Sequence, residues 1–442
     1  MSFNIGLSGL YAANKSLDVT GNNIANVATT GFKSSRAEFA DQYAQSIRGT
    51  SGNTSVGSGV TTAAVSQQFS QGSLTTGTAN SLDLAINGDG FFMLSNNGEK
   101  LYTRAGAFHT DKEGYVVNSS NMKLQGYNVD ANGSVVTGAL SDLRVNASNL
   151  EPKATTTITN SANLNSTTAL PTVSTFDATD TNSYNVKYST PTYDTQGNAH
   201  TLDQYFVKTG TNTWSMYSLM DGRSISDPTS TTPDKNNLTF DSSGNLVTTA
   251  GGSVPTDSAN IKFNADGTFA VTNWVPGVQV GTGTTATWAA NGATGAASIK
   301  LDMSSTTQTA SVSGLLKQDQ NGYATGQLSG MNVDSSGNLF ATYTNGKSQV
   351  IGQTSLTSFA NVQGLAQAGG TNWRETFASG VPVSGAPQSG TLGYITGQAL
   401  EESNVDLTME LVNLIKAQSN YQANAKTIST QSTIMQTTIQ MT

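Results

Sequence analysis

The chain has 442 residues, a formal net charge of −8 and no cysteine, which excludes disulfides, thiolate nucleophiles and Cys-based metal sites together. Charged residues make up 11% and hydrophobic residues 36%, against about 25% charged in an ordinary soluble domain. Ser, Thr, Asn and 45 Gly fill the difference, a composition that suits twisted antiparallel sheets with many turns.

No basic cluster offers a face to nucleic acid. No apolar run approaches the ~20 residues of a membrane span, so membrane insertion is not expected. The opening MSFNIGLSGLYAANK has neither the basic n-region nor the apolar h-region of a cleaved secretory signal. Export, if it occurs, is expected by another route.

Phe3, Leu10, Leu17 and Ile24 recur at strict sevens, with Ala13 and Val27 on adjoining positions. This spacing predicts an amphipathic helix from about Phe3 to Val27, stopped by Gly31 in the left-handed conformation. Gly21, Asn22 and Asn23 lower its intrinsic stability. Residues 32–46, carrying Phe39 and Tyr43, read as a shorter helix, and residues 49–59 as a flexible loop.

From Thr61 the period changes to two. Leu82, Leu84 and Ile86 alternate with Asp83 and Ala85, and Asn87-Gly88-Asp89-Gly90 turns the chain into Phe91-Phe92-Met93-Leu94. Asp/Asn-x-x-Gly recurs at residues 111–114, 130–133, 194–197, 241–244, 264–267, 319–322 and 334–337. Each predicts a hairpin loop in which the first side chain closes the turn and Gly takes φ > 0. IKFNADGTFAV, residues 261–271, is the clearest single hairpin. Residues 151–172 read as an extended crossing between domains, with a second crossing within 296–313, after which the character of residues 80–145 resumes.

Near the C-terminus, Leu407, Leu411, Leu414, Gln418, Tyr421, Ala425, Ile428, Ser432, Met435 and Ile439 follow in steps of four and three, the seam of a second long helix. The two apolar stripes are expected to pack on each other first. Two helices bury too little to be stable alone, so the remaining surface is expected to come from other copies of the chain. The expected fold is α+β: mostly antiparallel β domains nested between N- and C-terminal coiled-coil helices. Residues 1–30 and 400–442 form the helical core, 31–75 and 365–399 linkers, 76–150 and 305–364 an inner β domain, and 151–304 an outer variable one.

Chemistry-bearing patterns are few. Gly88-Asp89-Gly90 lacks the third Gly of a dinucleotide fingerprint, Met93 standing there, and no helix is expected after it. Gly6-Leu7-Ser8 is half a nucleophile elbow, with Leu10 in place of the second Gly. Asn128, Asp130, Asn132 and Gly133 begin like a calcium loop, but Ala139 replaces its closing Glu. His109 and His200 read as solvated strand or loop residues. Glu401 and Glu402 read as helix N-terminal acids that interact with the dipole. No catalytic residue, metal site or cofactor is expected.

NNIANVATTGFK, residues 22–33, and ALEESNVDLTMELVNLIKAQSNYQANAKTISTQSTIMQTTI, residues 399–439, resemble the N- and C-terminal signatures of the bacterial flagellar rod and hook proteins. Residues 81–127 are similar to the inner β domain of that family, residues 314–398 more loosely so. Asn22, Asn23, Asn26, Thr30, Gly31 and Phe32 carry the first signature, and Asn404, Val405, Asp406, Tyr421, Gln422 and Asn424 the second. The sequence departs from the family pattern at Ser419, where Arg is common, and at Ser432, where an acid often stands.

Rod members are much shorter, and the 150–300 insert is similar in placement to that of the hook member. A distal rod protein is the nearest alternative; a secreted β-rich adhesin or fibre would explain the centre but not the terminal seams. The resemblance implies a helical homopolymer outside the cell, with terminal helices around an export channel and β domains outside. It also implies contacts with rod, hook-cap and hook–filament junction proteins, and export by the flagellar type III apparatus.

Overall fold

A computed structural model describes residues 2–42, 57–130, 133–145, 149–248, 255–264, 266–281 and 286–441. The chain divides into two compact units: residues 1–147, 329–342 and 348–442 make the first, and 148–328 with 343–347 the second. The fold is mostly antiparallel β with a helix at each end of the chain.

In the first unit, α1 (Ser2–Ala25) and α2 (Leu407–Gln440) pack antiparallel, Gly6 against Ile428 and Gly9 against Asn424. The face of α1 that is buried runs through Gly6, Ala13, Thr20 and Asn23. This is a heptad stripe of small and polar residues, displaced from the expected apolar one. A Cβ on Gly9 would sit 2.5 Å from Oδ1 of Asn424, so a larger residue there would force the Asn424 side chain to move. The larger apolar residues therefore flank the contact: Leu10, Leu17 and Ile24 are half-buried and Phe3 is 41% exposed. On α2, Ala417 is buried and Leu414 and Ile428 are half-buried, whereas Leu407, Leu411, Tyr421, Met435 and Ile439 are exposed. The sequence-derived seams thus do not face each other directly.

The segment expected as a second short helix is instead the strand Ser35–Asp41, paired antiparallel with Val60–Gln67. Phe39 lies on it, whereas Tyr43 and residues 49–56 fall outside the described residues. Thr- and Val-rich VTTAAVSQ supplies a strand partner that a helical reading of 32–46 left out of account.

A 13-stranded sheet follows. Its centre is Phe91–Asn96, paired with Glu99–Thr103 and Lys123–Tyr127. Phe92 and Phe108 meet edge to face, with ring centroids 5.4 Å apart. Phe91, Tyr102 and Trp373 form a second aromatic cluster with Phe359. Residues 365–399, expected as a linker, hold β structure: Asn372–Arg374 pairs with Glu99–Thr103 in this sheet, and Tyr394–Gly397 pairs with Leu84–Asn87 in a separate two-stranded one. Trp373, Ile395 and Ala399 bury their side chains there, which a free linker would not do.

The second unit is built on a four-stranded meander, Val186–Tyr193, Ala199–Gly210, Thr213–Met220 and Asp234–Thr239, and a six-stranded sheet. Both contribute to one core, in which Ile158, Leu202, Phe206, Trp214, Phe269, Ile299 and Leu301 are buried. Asn160, also buried, donates through Nδ2 to Oγ1 of Thr190 and Oε1 of Gln204 inside that core, while its Oδ1 has no partner there.

Three expectations are corrected here. Residues 151–172 are no crossing segment, because they hold the strand Thr157–Asn165 at the middle of the six-stranded sheet. That strand runs parallel to both Ser298–Asp302 and Thr307–Thr309 and antiparallel to Gly314–Gln320. The inner-domain boundary at 305 thus falls inside this sheet. The hairpin at residues 261–271 forms in the expected register, Ile261 opposite Val271. The Asp/Asn-x-x-Gly turns close by Gly N–H donation to the first carbonyl at 111–114, 130–133, 194–197, 241–244, 264–267 and 334–337. At 319–322 none forms, since Asp319 lies within a strand and Gln320 Oε1 accepts from Gly322 N–H instead.

His109 is exposed on a strand as expected, but His200 is buried. Its Nδ1 lies 2.6 Å from Oδ2 of Asp221 and its Nε2 3.3 Å from Oδ2 of Asp194. Burial disfavours the imidazolium, the two carboxylates favour it, and the balance holds its pKa above the ordinary histidine value.

Candidate functional site: the helix-to-sheet junction

The residues between the end of α1 and the sheets, and those just before α2, converge on one place in the first unit. Asn23, at the end of α1, is buried; its Nδ2 donates to the Ser35 carbonyl at 2.8 Å and its Oδ1 accepts from Ser35 N–H at 2.9 Å. This two-way amide clasp pairs both backbone groups of Ser35 where the chain turns from helix to strand. Asn26 donates back to the Asn22 carbonyl at 2.9 Å and accepts from the Thr29 hydroxyl at 3.1 Å, closing the last turn. Gly31 then takes φ +68°, and a Cβ there would lie 2.4 Å from the Ala105 nitrogen. Its N–H donates to the Glu401 carbonyl at 2.7 Å.

The C-terminal half answers the N-terminal one. Asn404 Oδ1 accepts from Ser34 N–H at 2.7 Å, and its Nδ2 donates to the Gln68 carbonyl at 2.7 Å. Asp406 caps α2, accepting from Thr408 and Met409 N–H at 2.9 and 3.0 Å. The N-cap is therefore Asp406, and Glu401 and Glu402 precede the helix on the strand Ala399–Glu401 or just after it.

The dipole explanation does not hold for Glu401, which is fully buried between two cations. Lys33 Nζ lies 2.5 Å from its Oε1 and Arg104 Nη1 3.3 Å from its Oε2, while Gly72 N–H donates to Oε1 at 3.0 Å. Lys33 also donates to the Ser70 carbonyl at 2.7 Å and Arg104 to the Gly88 carbonyl at 2.9 Å. Burial pushes the pKa of both cations down, and the Glu401 carboxylate opposes it. With hydrogen bonds on nearly every polar atom, the triad ties strand, loop and sheet to the base of both helices.

Asn22, Asn23, Asn26, Gly31, Phe32, Asn404, Val405 and Asp406 thus share the junction, and Asn22, Asn26, Thr30, Phe32 and Trp373 line a groove of about 510 Å³ beside it. Tyr421, Gln422 and Asn424 lie away on α2, the first two exposed and Asn424 against Gly9. Sequence reasoning passed over the roles of Lys33, Arg104 and Glu401. The signal was present: in a chain with so little charge, each charged residue inside a motif invites a search for its partner.

Against known proteins, residues 3–33 match the family described as "Flagella basal body rod protein" and 85–162 the "Flagellar hook protein FlgE/F/G D1 domain". Residues 163–323 match the "Flagellar basal body protein FlaE D2 domain", and 396–441 the "Flagellar basal body rod FlgEFG protein C-terminal". The chain is 39% identical to the flagellar hook protein FlgE of Salmonella typhimurium, covering 100% of both sequences. It is 38% identical to that of Escherichia coli K12, again over 100% of both. With that of Borreliella burgdorferi it is 33% identical, over 99% of this chain and 98% of the relative. Matches of this extent reach across both units and both terminal helices, and the chain belongs to the flagellar hook protein family.

Proposed function

We propose that the chain is the repeating subunit of a flexible tubular hook that joins rod to filament and passes torque between them. The α1–α2 pair packs side by side with its copies around an export channel, and the β units form the outer layers. The observation that carries this reading is the surface of α2 left over once α1 is in place: Leu407, Met409, Leu411, Val412 and Ile415 are 43% to 62% exposed. Isolated surface Leu or Val needs no explanation, but Leu407, Leu411, Ile415 and Val412 fall within about 140° of the helix circumference, with Met409 beside them, and make an apolar face that water disfavours.

Full-length similarity to hook proteins supports this over a rod subunit. Rod, hook-cap and hook–filament junction proteins are its expected neighbours, and passage through the type III export apparatus its route. No described helix is long and apolar enough to cross a membrane. Electron microscopy of the purified chain under polymerising conditions tests the proposal: tubes with a central channel support it, and a chain that stays monomeric or forms only amorphous aggregate contradicts it.

A further inference from the structure

Among the described residues Phe377 is the most exposed large apolar side chain: it is 105% exposed, more open to water than in an extended peptide. The turn that carries it is held stiffly. Thr376 Oγ1 accepts from Ala378 and Ser379 N–H, Thr376 N–H donates to Ser379 Oγ, and the Ser379 hydroxyl donates to the Thr376 carbonyl. Asn361 Nδ2 donates to the Ala378 carbonyl at 3.0 Å, and Gly364 lies so close to the turn that a Cβ there would meet the Ala378 carbonyl carbon at 2.4 Å. Val381 and Val383, 81% and 64% exposed, continue the apolar surface, and the strand Val383–Gly385 is anchored on Leu356–Ser358. A turn held this stiffly has already lost the backbone entropy that docking would cost it, and an exposed aromatic on such a turn suits an interface anchor.

We infer that the Phe377 turn is a contact between copies of this chain, docking on a second subunit. The occupant follows from charge. No charged residue occurs from Thr376 to Leu400, and the charges just before the turn are engaged: Arg374 pairs with Glu99, and Glu375 accepts from the Tyr102 hydroxyl. Each copy carries a formal net charge of −8, so an uncharged apolar projection is where two copies meet without like-charge repulsion. A cationic, anionic or nucleic-acid partner finds nothing there to pair with. The inference rests on the polymer reading above and adds to it a contact in the β structure, away from the helical core.

The test compares wild type, Phe377→Ala and Phe377→Leu for the lowest concentration that gives tubes, together with an environment-sensitive dye on Phe377→Cys, a unique thiol in this chain. Phe377→Ala should melt like wild type as a monomer, because its ring touches only water. It should need roughly tenfold to a hundredfold more protein to polymerise, the loss expected for one buried phenyl ring. Phe377→Leu should recover most of that, and the dye should report an apolar setting only in tubes. Unchanged assembly of Phe377→Ala, a destabilised monomer, a dye that stays in water within tubes, or one that responds only to a different flagellar component each overturns the inference. If Phe377→Ala matches a wild type that polymerises, the inference alone fails. If wild type forms no tubes, the polymer reading fails and takes the inference with it.

Discussion

Glu401 is one residue on which the junction depends, and its importance follows from desolvation. A carboxylate removed from water is tolerable only with counter-charges and hydrogen bonds on its oxygens, which Lys33, Arg104 and Gly72 supply. Glu401→Gln leaves two buried cations facing a neutral amide. It should lower the stability of the first unit by about 3–5 kcal/mol, measured by denaturant unfolding, with little effect on the second unit's transition. Its partner Lys33 is 368 positions away, so no local pattern could have shown the pair. Gly31 was easier to find, because a Gly that stops a helix in the left-handed conformation acts on its own neighbours, whereas Asn23 and Asn404 reach partners far along the chain and were marked only by the resemblance.

In the second unit His200 titrates. Its pKa is raised in the fold, so its stabilising contribution is complete below the unfolded value of about 6.5. That contribution is lost as pH rises through the higher folded value. Melting of the second unit should therefore fall between neutral and mildly alkaline pH, and His200→Asn should flatten that part of the profile. A wild-type melting curve that does not change over this range would contradict the assignment.

At the scale of elements, periodicity revealed that two long helices exist. It could not tell which stripe meets which. Side-chain size decided that: Gly6, Gly9 and Ala13 permit close contact, while the leucines that mark a seam by eye are set beside it. Hairpins were legible because Asp or Asn and Gly act within four residues. The parallel pairing of Thr157–Asn165 with Ser298–Asp302 was not legible, since it joins strands far apart in the chain with no local marker.

The helix faces also select the informative substitution. Leu414 is half-buried, whereas Leu411 is 45% exposed, so Leu411→Asp separates assembly from folding. Its cost in the monomer should be close to nothing. In a packed helical core each subunit would bury an unpaired carboxylate, a penalty of several kcal/mol. The expected outcome is a soluble protein with wild-type β melting, no tubes and non-motile cells, while exposed Lys416→Ala still polymerises. Normal tubes from Leu411→Asp would contradict the role given to this face.

For the whole molecule, the contrast is between β units with buried apolar cores and a helix pair that leaves apolar surface exposed. Buried Phe92, Phe206 and Trp214 hold the former. The latter has Gly21 and several Asn in α1, Thr at many positions of α2 and an exposed apolar stripe, so its helicity depends on packing. Hydrogen exchange of the same wild-type chain as dilute monomer and as assembled tubes measures this directly. Amides of α1 and α2 should exchange rapidly in the monomer and become strongly protected in tubes, whereas those of Phe91–Asn96 and Ala199–Gly210 should be protected in both. Helices equally protected in the two states, or new protection confined to the β units, would contradict the account.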